Sequence, residues 1–229
     1  KTTKTIDKHM YILFKKMEPL FFGLKVLHQK KIVHLDIKIQ NIVIHEGVFK
    51  YIDFGLASKL SDDNHFKTRS LSEFDNKRIY LWYPMEYLYS YASNTELLAE
   101  LLKFNTTSFR KHYEKGKKIH KLLKNTFEDH IKLLLNDKQN YNHTELNSLI
   151  DTYSLGLLIP YLFVDYNIIK HINKSDFLKE IFDLFSKMCA LNYKERLTPD
   201  ETYKIYESIL NKYSSLEKGT KKKTLRKKK

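Results

Sequence analysis

The stretch His34-Leu35-Asp36-Ile37-Lys38-Ile39-Gln40-Asn41 decides the fold, together with Asp53-Phe54-Gly55, which begins twelve residues (53 − 41) after Asn41. Between them, Ile42-Val43-Ile44 and Val48-Phe49-Lys50-Tyr51-Ile52 flank a turn at His45-Glu46-Gly47. Apolar and β-branched runs on both sides of a glycine-containing turn predict a β-hairpin. A hairpin of this length brings Asn41 and Asp53 to the same end of the sheet.

The polar residues at that end suit the transfer of a phosphoryl group. Oxygen ligands such as Asn41 and Asp53 can hold Mg²⁺ on phosphates. A carboxylate such as Asp36 can orient an attacking hydroxyl, and a cation such as Lys38 can offset charge on the moving phosphoryl group. The alternative is an ordinary hairpin with polar ends, which would leave the order of the motifs further along the chain unexplained.

These residues resemble the catalytic and metal-binding loops of eukaryotic-type protein kinases, in which His-Arg-Asp-x-Lys-x-x-Asn precedes Asp-Phe-Gly. Leu35 stands where the family has arginine. The resemblance implies that Asp36 and Lys38 are catalytic and that the cofactors are ATP and Mg²⁺. It also implies that Lys38, Asn41 and Asp53 bind the cofactor, with Asn41 and Asp53 as metal ligands. The structural residues of the two loops are His34, Phe54 and Gly55.

Three further motifs follow in the family's order. Pro84-Met85-Glu86 resembles Ala-Pro-Glu, and Asp151-Thr152-Tyr153-Ser154-Leu155-Gly156 resembles the start of the family's central helix. The resemblance implies that Asp151 accepts hydrogen bonds from the backbone of the catalytic loop, and that Gly156 is structural. Arg196, in Arg-Leu-Thr-Pro-Asp-Glu, is the expected partner of Glu86.

Helices are predicted around these motifs. Apolar residues from Ile6 to Leu27 recur at helical spacing, and Pro19 is expected to kink or split that helix. An apolar run at 155–164 predicts a buried helix that Pro160 interrupts. Residues 176–191 predict another helix with Ser175 or Asp176 as its N-cap, and a last helix is expected to end near Leu210.

The expected fold is α+β but mostly helical. It corresponds to the C-terminal lobe of a protein-kinase-like domain over residues 1–210, with a small β-hairpin carrying the catalytic and metal loops. No Gly-x-Gly-x-x-Gly loop and no Val-Ala-Ile-Lys strand precedes the first helix, so the N-terminal lobe is expected to be absent. Residues 92–148 are an insertion relative to the family, with a helical pattern, where a partner could bind; a decorative insertion is the alternative.

Composition limits the class of protein. The 229 residues are 42% hydrophobic, and no run approaches the ~18 apolar residues of a membrane span. The start of the chain shows no signal peptide, and a single cysteine, Cys189, suits a reducing compartment. We therefore expect an intracellular, cytoplasmic location. The abundance of Lys, Asn, Ile and Tyr is typical of an AT-rich genome, such as that of a large DNA virus or a protist. If the source is a virus, we expect the host cytoplasm or the virion.

The net charge of +14 is concentrated partly in the last residues, since 218–229 contain eight Lys or Arg and no acid. Residues 211–229 are therefore expected to form a disordered basic tail. The alternative is a weak electrostatic contact of this tail with an anionic partner.

Three functions compete. The first is a serine/threonine protein kinase, which transfers the ATP γ-phosphate to a hydroxyl of a protein substrate and is seen here as an N-terminally truncated catalytic domain that is inactive alone. Lys38, two residues after Asp36, indicates serine/threonine specificity by resemblance. The second is a pseudokinase-like binding or scaffold module, which Ile79 favours because the family's serine/threonine members have Thr there. The third, a small-molecule phosphotransferase, is disfavoured by Lys38 and Arg196.

Leu35 predicts how the segment between Gly55 and Glu86 is controlled. In many kinases the arginine at this position pairs with a phosphate on that segment. Leucine carries no charge and cannot form the two parallel hydrogen bonds of arginine. We therefore expect that activation does not depend on phosphorylation at Ser61, Thr68, Ser70 or Ser72.

Overall fold

The computed structural model describes residues 3–75, 82–84, 86–87, 142–165 and 168–218. The predicted insertion at 92–148 lies outside the described residues up to residue 141, and so do Ile79 and the residues after Lys218. The helices within the described ranges are α1 (Thr3–Gln29), α2 (Asp63–Asp75), α3 (His143–Ser148), α4 (Ile150–Asp165), α5 (Ile169–Ile172), α6 (Asp176–Met188), α7 (Pro199–Lys212) and α8 (Ser215–Lys218). The strands are β1 (Ile32–Val33), β2 (Ile42–His45), β3 (Val48–Tyr51) and β4 (Ser58–Lys59).

This mostly helical architecture with small antiparallel sheets is compatible with a kinase-like fold. Short 3₁₀ turns lie at Ile39–Asn41 and Tyr193–Glu195. Helices α7 and α8 extend the described helical structure to Lys218, beyond the boundary expected near residue 210. Within the described ranges, the chain contains no helix with the length and apolar character that a membrane crossing requires.

Helix α1 forms around an apolar face that repeats every three or four residues, as its spacing predicts. The buried residues of this face include Met10, Phe14, Met17, Phe21 and Leu24. The predicted split at Pro19 does not occur, because α1 continues from Thr3 to Gln29. Buried residues on both sides of Pro19 hold the helix together and offset the hydrogen bond that proline removes.

Helices α1, α4, α6 and α7 share one apolar core that is rich in aromatic rings. Phe14 lies 6.0 Å from Phe177 of α6, and Phe21 stacks on Tyr206 of α7 with ring centroids 3.7 Å apart. Such pairs contribute roughly 0.5–1.5 kcal/mol beyond their buried area. Helix α4 continues through Pro160, so this proline does not interrupt it.

Helix α6 begins as predicted and ends earlier than predicted. The Ser175 hydroxyl accepts a hydrogen bond from the Leu178 backbone N–H, which confirms the predicted N-cap. The helix ends at Met188, and Cys189 follows as the C-cap. The predicted end at residue 191 was therefore three residues too late (191 − 188).

Helix α4 packs tightly against the end of α6 at Gly156. A Cβ atom at this position would lie 2.7 Å from both Cys189 Sγ and Met188 Cβ, which is closer than packed side chains allow. A glycine is therefore required for this packing. Because α4 also carries Asp151, the close contact helps to fix where that carboxylate lies.

Strands β2 and β3 pair antiparallel, with Ile42 opposite Tyr51 and His45 opposite Val48. Glu46 and Gly47 connect them with φ angles of 53° and 78°, the conformation of a two-residue turn that favours glycine. The Tyr51 hydroxyl donates to the Leu20 carbonyl of α1 over 2.9 Å. This bond attaches the hairpin to the helical core.

Helix α2 lies in a polar segment that has no helical periodicity in the sequence. The strand that precedes it, β4, pairs antiparallel with β1 and so connects this segment to the loop region. Its N-terminus is capped by Asp62, whose carboxylate accepts from the His65 backbone N–H over 3.1 Å. Phe66 and Ser70, one turn apart on α2, are both fully buried. Tertiary packing of this narrow face therefore stabilises the helix.

Candidate active site

Three side chains of the loop between β1 and β2 meet at the carboxylate of Asp36. Lys38 Nζ donates to its two oxygens over 2.9 and 2.8 Å. Asn41 Nδ2 donates to Asp36 Oδ2 over 2.6 Å and to the Asp36 carbonyl over 2.9 Å. Asp36 and Asn41 are almost fully buried, whereas a quarter of the Lys38 side chain (26%) is exposed. The carboxylate is thus held in one orientation beside a cation that solvent can reach.

Asp151, at the start of α4, holds the backbone of the same loop. Its carboxylate accepts from the His34 N–H over 2.5 Å and from the Leu35 N–H over 3.0 Å. Burial raises the pKa of Asp151, while these two backbone donors and His34 act in the opposite direction. The structure therefore places Asp151 against the loop, where the resemblance would have it.

The loop reverses direction at Leu35, which has a φ of 61°. A non-glycine residue in this left-handed region costs roughly 1–2 kcal/mol, and persists where the surrounding structure determines it. Here the N–H of Leu35 is bound by Asp151, its carbonyl accepts from the Tyr83 hydroxyl, and its side chain is fully buried. These contacts keep Asp36 in the position described above.

His34 connects the loop to the end of β3. Its Nδ1 accepts from the Asp36 backbone N–H over 3.3 Å, and its Nε2 lies 3.2 Å from the Ile52 carbonyl. The Ile52 N–H also donates to the Asn41 carbonyl over 3.0 Å. Ile52, which follows β3, is therefore in contact with His34 through its carbonyl and with Asn41 through its N–H.

Asp53 follows directly and is exposed, with a φ of 61°. Its Oδ1 accepts from the Gly55 N–H over 3.3 Å. Phe54 is half exposed, and its ring lies 4.5 Å from that of His34. Asp53, Phe54 and Gly55 thus lie next to the loop that carries Asp36, at the end of the hairpin where Asn41 also lies.

The oxygen atoms of Asn41 and Asp53 are of the chemical type that binds a divalent cation. Because Asn41 Nδ2 donates to Asp36, the Oδ1 of the same amide remains as an acceptor. Asp53 supplies a carboxylate that is open to solvent. Two oxygen side chains plus substrate phosphates is the ligand set by which Mg²⁺ is usually bound. Within the described residues, no group of three or more His, Cys, Asp or Glu forms a metal site of its own.

Glu86 and Arg196 form a buried ion pair. Arg196 Nη2 donates to Glu86 Oε1 and, over 2.9 Å, to the Ala190 carbonyl. The guanidinium also lies 5.0 Å from the ring centroid of Tyr153. Both charged side chains are nearly excluded from solvent. The sequence-predicted partners are therefore in contact, and they connect the end of the polar segment to the loop before α7.

The sequence analysis missed the residues that join α2 to the catalytic loop. Phe66, Tyr83 and Tyr87 are fully or almost fully buried in one apolar cluster with Leu35. The spacing of Phe66 and Ser70 by one helical turn was the available signal, but two residues are too few to predict a helix.

Comparison with known proteins points to one class. The protein kinase domain family matches residues 5–81, which include the loop of Asp36 and the Asp53-Phe54-Gly55 motif. The chain is 37% identical over 83 residues to the CTD kinase subunit alpha of Saccharomyces cerevisiae, a match that covers 35% of this chain and 13% of that protein. It is 39% identical over 74 residues to cyclin-dependent kinase 9 of Homo sapiens, covering 31% of this chain and 19% of that protein.

The matched segment spans less than a fifth of each of these relatives. No solved structure matches the chain. The family match and the relatives together support a protein kinase as the class of protein to which this chain is similar.

Proposed function

We propose that the chain forms the C-terminal lobe of a serine/threonine protein kinase and orients the protein hydroxyl that receives the γ-phosphate of ATP. The observation that carries this proposal is the contact of Lys38 and Asn41 with the Asp36 carboxylate, at distances of 2.6–2.9 Å. The similarity of residues 5–81 to the protein kinase domain supports it. An intracellular location is part of the same proposal.

Asp36 would accept or orient the proton of the substrate hydroxyl. Its carboxylate is already fixed by Lys38 and Asn41, so little reorientation is needed when the hydroxyl arrives. Lys38, which is partly exposed, would contact the γ-phosphate and offset its charge. Asp151 would keep the loop in this shape through the two backbone N–H groups that it binds.

Asn41 and Asp53 would hold Mg²⁺ on the phosphates of ATP, where the metal ion neutralises the charge that develops during transfer. The 229 residues contain no sequence that resembles the Gly-rich loop or the lysine strand that grip the nucleotide in kinases. Since positioning supplies most of the catalysis in phosphoryl transfer, we expect the chain alone to have negligible activity. The protein encoded by the complete reading frame would supply those parts.

The experiment measures Mg²⁺-dependent ATP turnover with a generic basic protein, for the 229-residue chain and for the product of the complete reading frame. The expected turnover is negligible for the first and about 1–100 s⁻¹ for the second. Asp36→Asn in the complete protein should lower kcat by roughly 10²–10⁴-fold. Asp183→Asn, an exposed carboxylate on α6, is the matched control and should have no effect.

The proposal fails if Asp36→Asn keeps the turnover of the wild-type protein. Kinase-level turnover by the isolated chain would overturn the part of the proposal that assigns nucleotide binding elsewhere.

A binding or scaffold module of the pseudokinase type is the second candidate. It is favoured by the apolar side chains that the hairpin region exposes, since Ile44 is 65% and Phe54 50% exposed. If the complete protein binds ATP but shows no turnover with any protein substrate tested, this second function replaces the first.

A further inference from the structure

An apolar cluster joins helix α2 to the loop that carries Asp36. The buried members of this cluster are Val33, Leu35, Leu60, Phe66, Tyr83, Tyr87 and Ile150. Phe66 is the contribution of α2, and Leu35 is the residue directly before Asp36. Both are completely excluded from solvent. Helix α2 is therefore attached to the catalytic loop through the buried ring of Phe66.

Hydrogen bonds reinforce the cluster in both directions. The Ser70 hydroxyl of α2 donates to the Tyr87 carbonyl over 3.3 Å, and the Tyr87 hydroxyl donates back to the Phe66 carbonyl over 2.9 Å. The Tyr83 hydroxyl donates to the Leu35 carbonyl, and the rings of Tyr83 and Tyr87 meet edge to face at 5.2 Å. These hydrogen bonds connect α2 to Tyr87, and they connect Tyr83 to Leu35 in the loop that carries Asp36.

We propose that Leu35, Phe66, Tyr83 and Tyr87 form an apolar latch that holds α2 against the catalytic loop and positions Asp36 through Leu35. The four residues hold one another through apolar contacts and hydrogen bonds between uncharged groups, so the latch forms without a phosphate. Arg69 Nε also donates to the Tyr83 hydroxyl over 3.4 Å. Phe66 and Tyr83 are positioning residues in this view, since they touch Leu35 and its surroundings and not the reacting atoms. Its consequence for catalysis rests on the function proposed above, whereas the latch itself does not.

The position of Leu35 makes a charged alternative unfavourable. A guanidinium at this site would lie among the six other buried residues of the cluster, and burying a charge without a partner is costly. Ser70 is fully buried, and its hydroxyl is already engaged. A phosphate on Ser70 would therefore require α2 to leave the cluster, so that modification at this residue would open the latch rather than order the segment.

The first test uses the 229-residue chain and needs no activity. Amide hydrogen exchange reports on the His34 and Leu35 N–H groups, which Asp151 binds, and fluorescence reports on Trp82, the single tryptophan of the chain. Phe66→Ala should raise exchange at residues 33–36 at least about tenfold, because the latch opens locally, and should make Trp82 more accessible to quenching. Phe22→Ala, at a Phe that is 49% exposed on α1, should change neither.

Unchanged exchange at residues 33–36 in Phe66→Ala, with faster exchange confined to α2, would overturn the proposal. If Phe66→Ala loses its helical circular dichroism, Tyr83→Phe decides instead. This variant keeps the buried ring and removes the hydroxyl that donates to Leu35. The proposal predicts faster exchange of the Leu35 amide in Tyr83→Phe, and an unchanged rate there would contradict it.

The second test separates positioning from simple stability, in the product of the complete reading frame. Phe66→Ala should lower kcat while the KM for ATP stays the same, and Phe66→Leu, which restores apolar volume, should recover most of kcat. A rise in the KM for ATP with unchanged kcat would overturn the positioning role. If the wild-type complete protein shows no turnover, the proposed function has failed, and the latch is then judged by hydrogen exchange alone.

Discussion

Leu35 and Asp36 are neighbours in the chain, yet they belong to opposite environments. Leu35 lies in an apolar cluster with Phe66 of α2, whereas Asp36 meets Lys38 and Asn41 in a polar one. The left-handed backbone at Leu35 separates the two. One loop can therefore combine a buried apolar residue with a polar carboxylate when other buried residues, here Asp151 and Tyr83, bind the backbone between them.

The two sides of the loop should respond differently to mutation. Changes on the apolar side and in the helices behind it should alter stability and local order. Changes on the polar side should alter chemistry and leave the fold intact.

The buried ion pair between Arg196 and Glu86 should matter most. Glu86→Gln leaves the Arg196 guanidinium buried without its partner charge, which typically costs about 3–5 kcal/mol in the free energy of unfolding. Lys38→Met breaks the pair with Asp36, in which a quarter of the lysine side chain is exposed, and should cost less because Asn41 still donates to the Asp36 carboxylate. Chemical denaturation of both variants of the 229-residue chain measures the difference. Equal losses in the two variants would contradict the distinction between a structural and a functional pair.

The close contact of α4 and α6 should be the next most sensitive. Gly156→Ala places a Cβ 2.7 Å from Cys189 Sγ and Met188 Cβ, and overpacking of this kind costs roughly 1–3 kcal/mol. Gly23→Ala on α1 is the matched control, because its Cβ would meet only the Tyr51 ring at an ordinary 3.4 Å. We expect a lower melting temperature for the first and an unchanged or higher one for the second, since alanine favours helix. A stable Gly156→Ala variant would show that the helices can separate there at little cost.

The hydroxyl of Ser70 should be worth about 1 kcal/mol, the usual contribution of one hydrogen bond. Ser70→Ala removes the donor to Tyr87 and should raise hydrogen exchange throughout α2. Thr68→Ala, at an exposed position on the same helix, should not.

Alanine at the exposed Ser61, Thr68 and Ser72 together should also leave activity of the complete protein unchanged, before and after phosphatase treatment. A large loss in that triple variant would show that phosphate, bound by another cation, orders the segment.

The capping box of α7 should produce the smallest effect, visible only as a function of pH. The backbone N–H and the hydroxyl of Thr198 both donate to Glu201 and hold the pKa of Glu201 below its usual value. A lowered carboxyl pKa stabilises the fold above the unfolded-state value of about 4.3, and this stability is lost as the pH falls through the folded-state value. Glu201→Gln should therefore flatten the loss of stability below about pH 4.3, and Glu207→Gln, further along α7, should not. If the stability of wild type and Glu201→Gln depends on pH in the same way below about pH 4.3, the capping box does not contribute to the acid sensitivity of the fold.

The sequence predicted those parts of the structure whose signals are local. The spacing of Asp36, Lys38 and Asn41 and the glycine in the turn after β2 are written in short stretches, and the structure brings the three side chains together. The pairing of Glu86 with Arg196 followed from the order of motifs. The functional roles of these residues stay predictions, because contacts alone do not show catalysis.

The rest depended on tertiary packing, which a sequence window does not contain. Helix α2 exists because Phe66 and Ser70 find a buried site made by residues far away in the chain. Pro19 and Pro160 lie inside helices because the core on either side holds those helices, so the local rule against proline overestimated their effect. The apolar partners of Leu35, such as Phe66 and Tyr87, lie far away in the chain, so they could not be predicted from the residues next to Leu35.

The most direct measurement of the central claim is made on the product of the complete reading frame, with Asp53→Asn. This change keeps the size of the side chain and removes the metal-binding charge, so it should cost several kcal/mol of transition-state stabilisation, or about a thousandfold in kcat. Because Asp53 is exposed, the melting temperature should stay that of the wild type. A variant with full turnover would contradict the assignment of Asp53 as a metal ligand, and with it the claim that this end of the hairpin is a phosphoryl-transfer site.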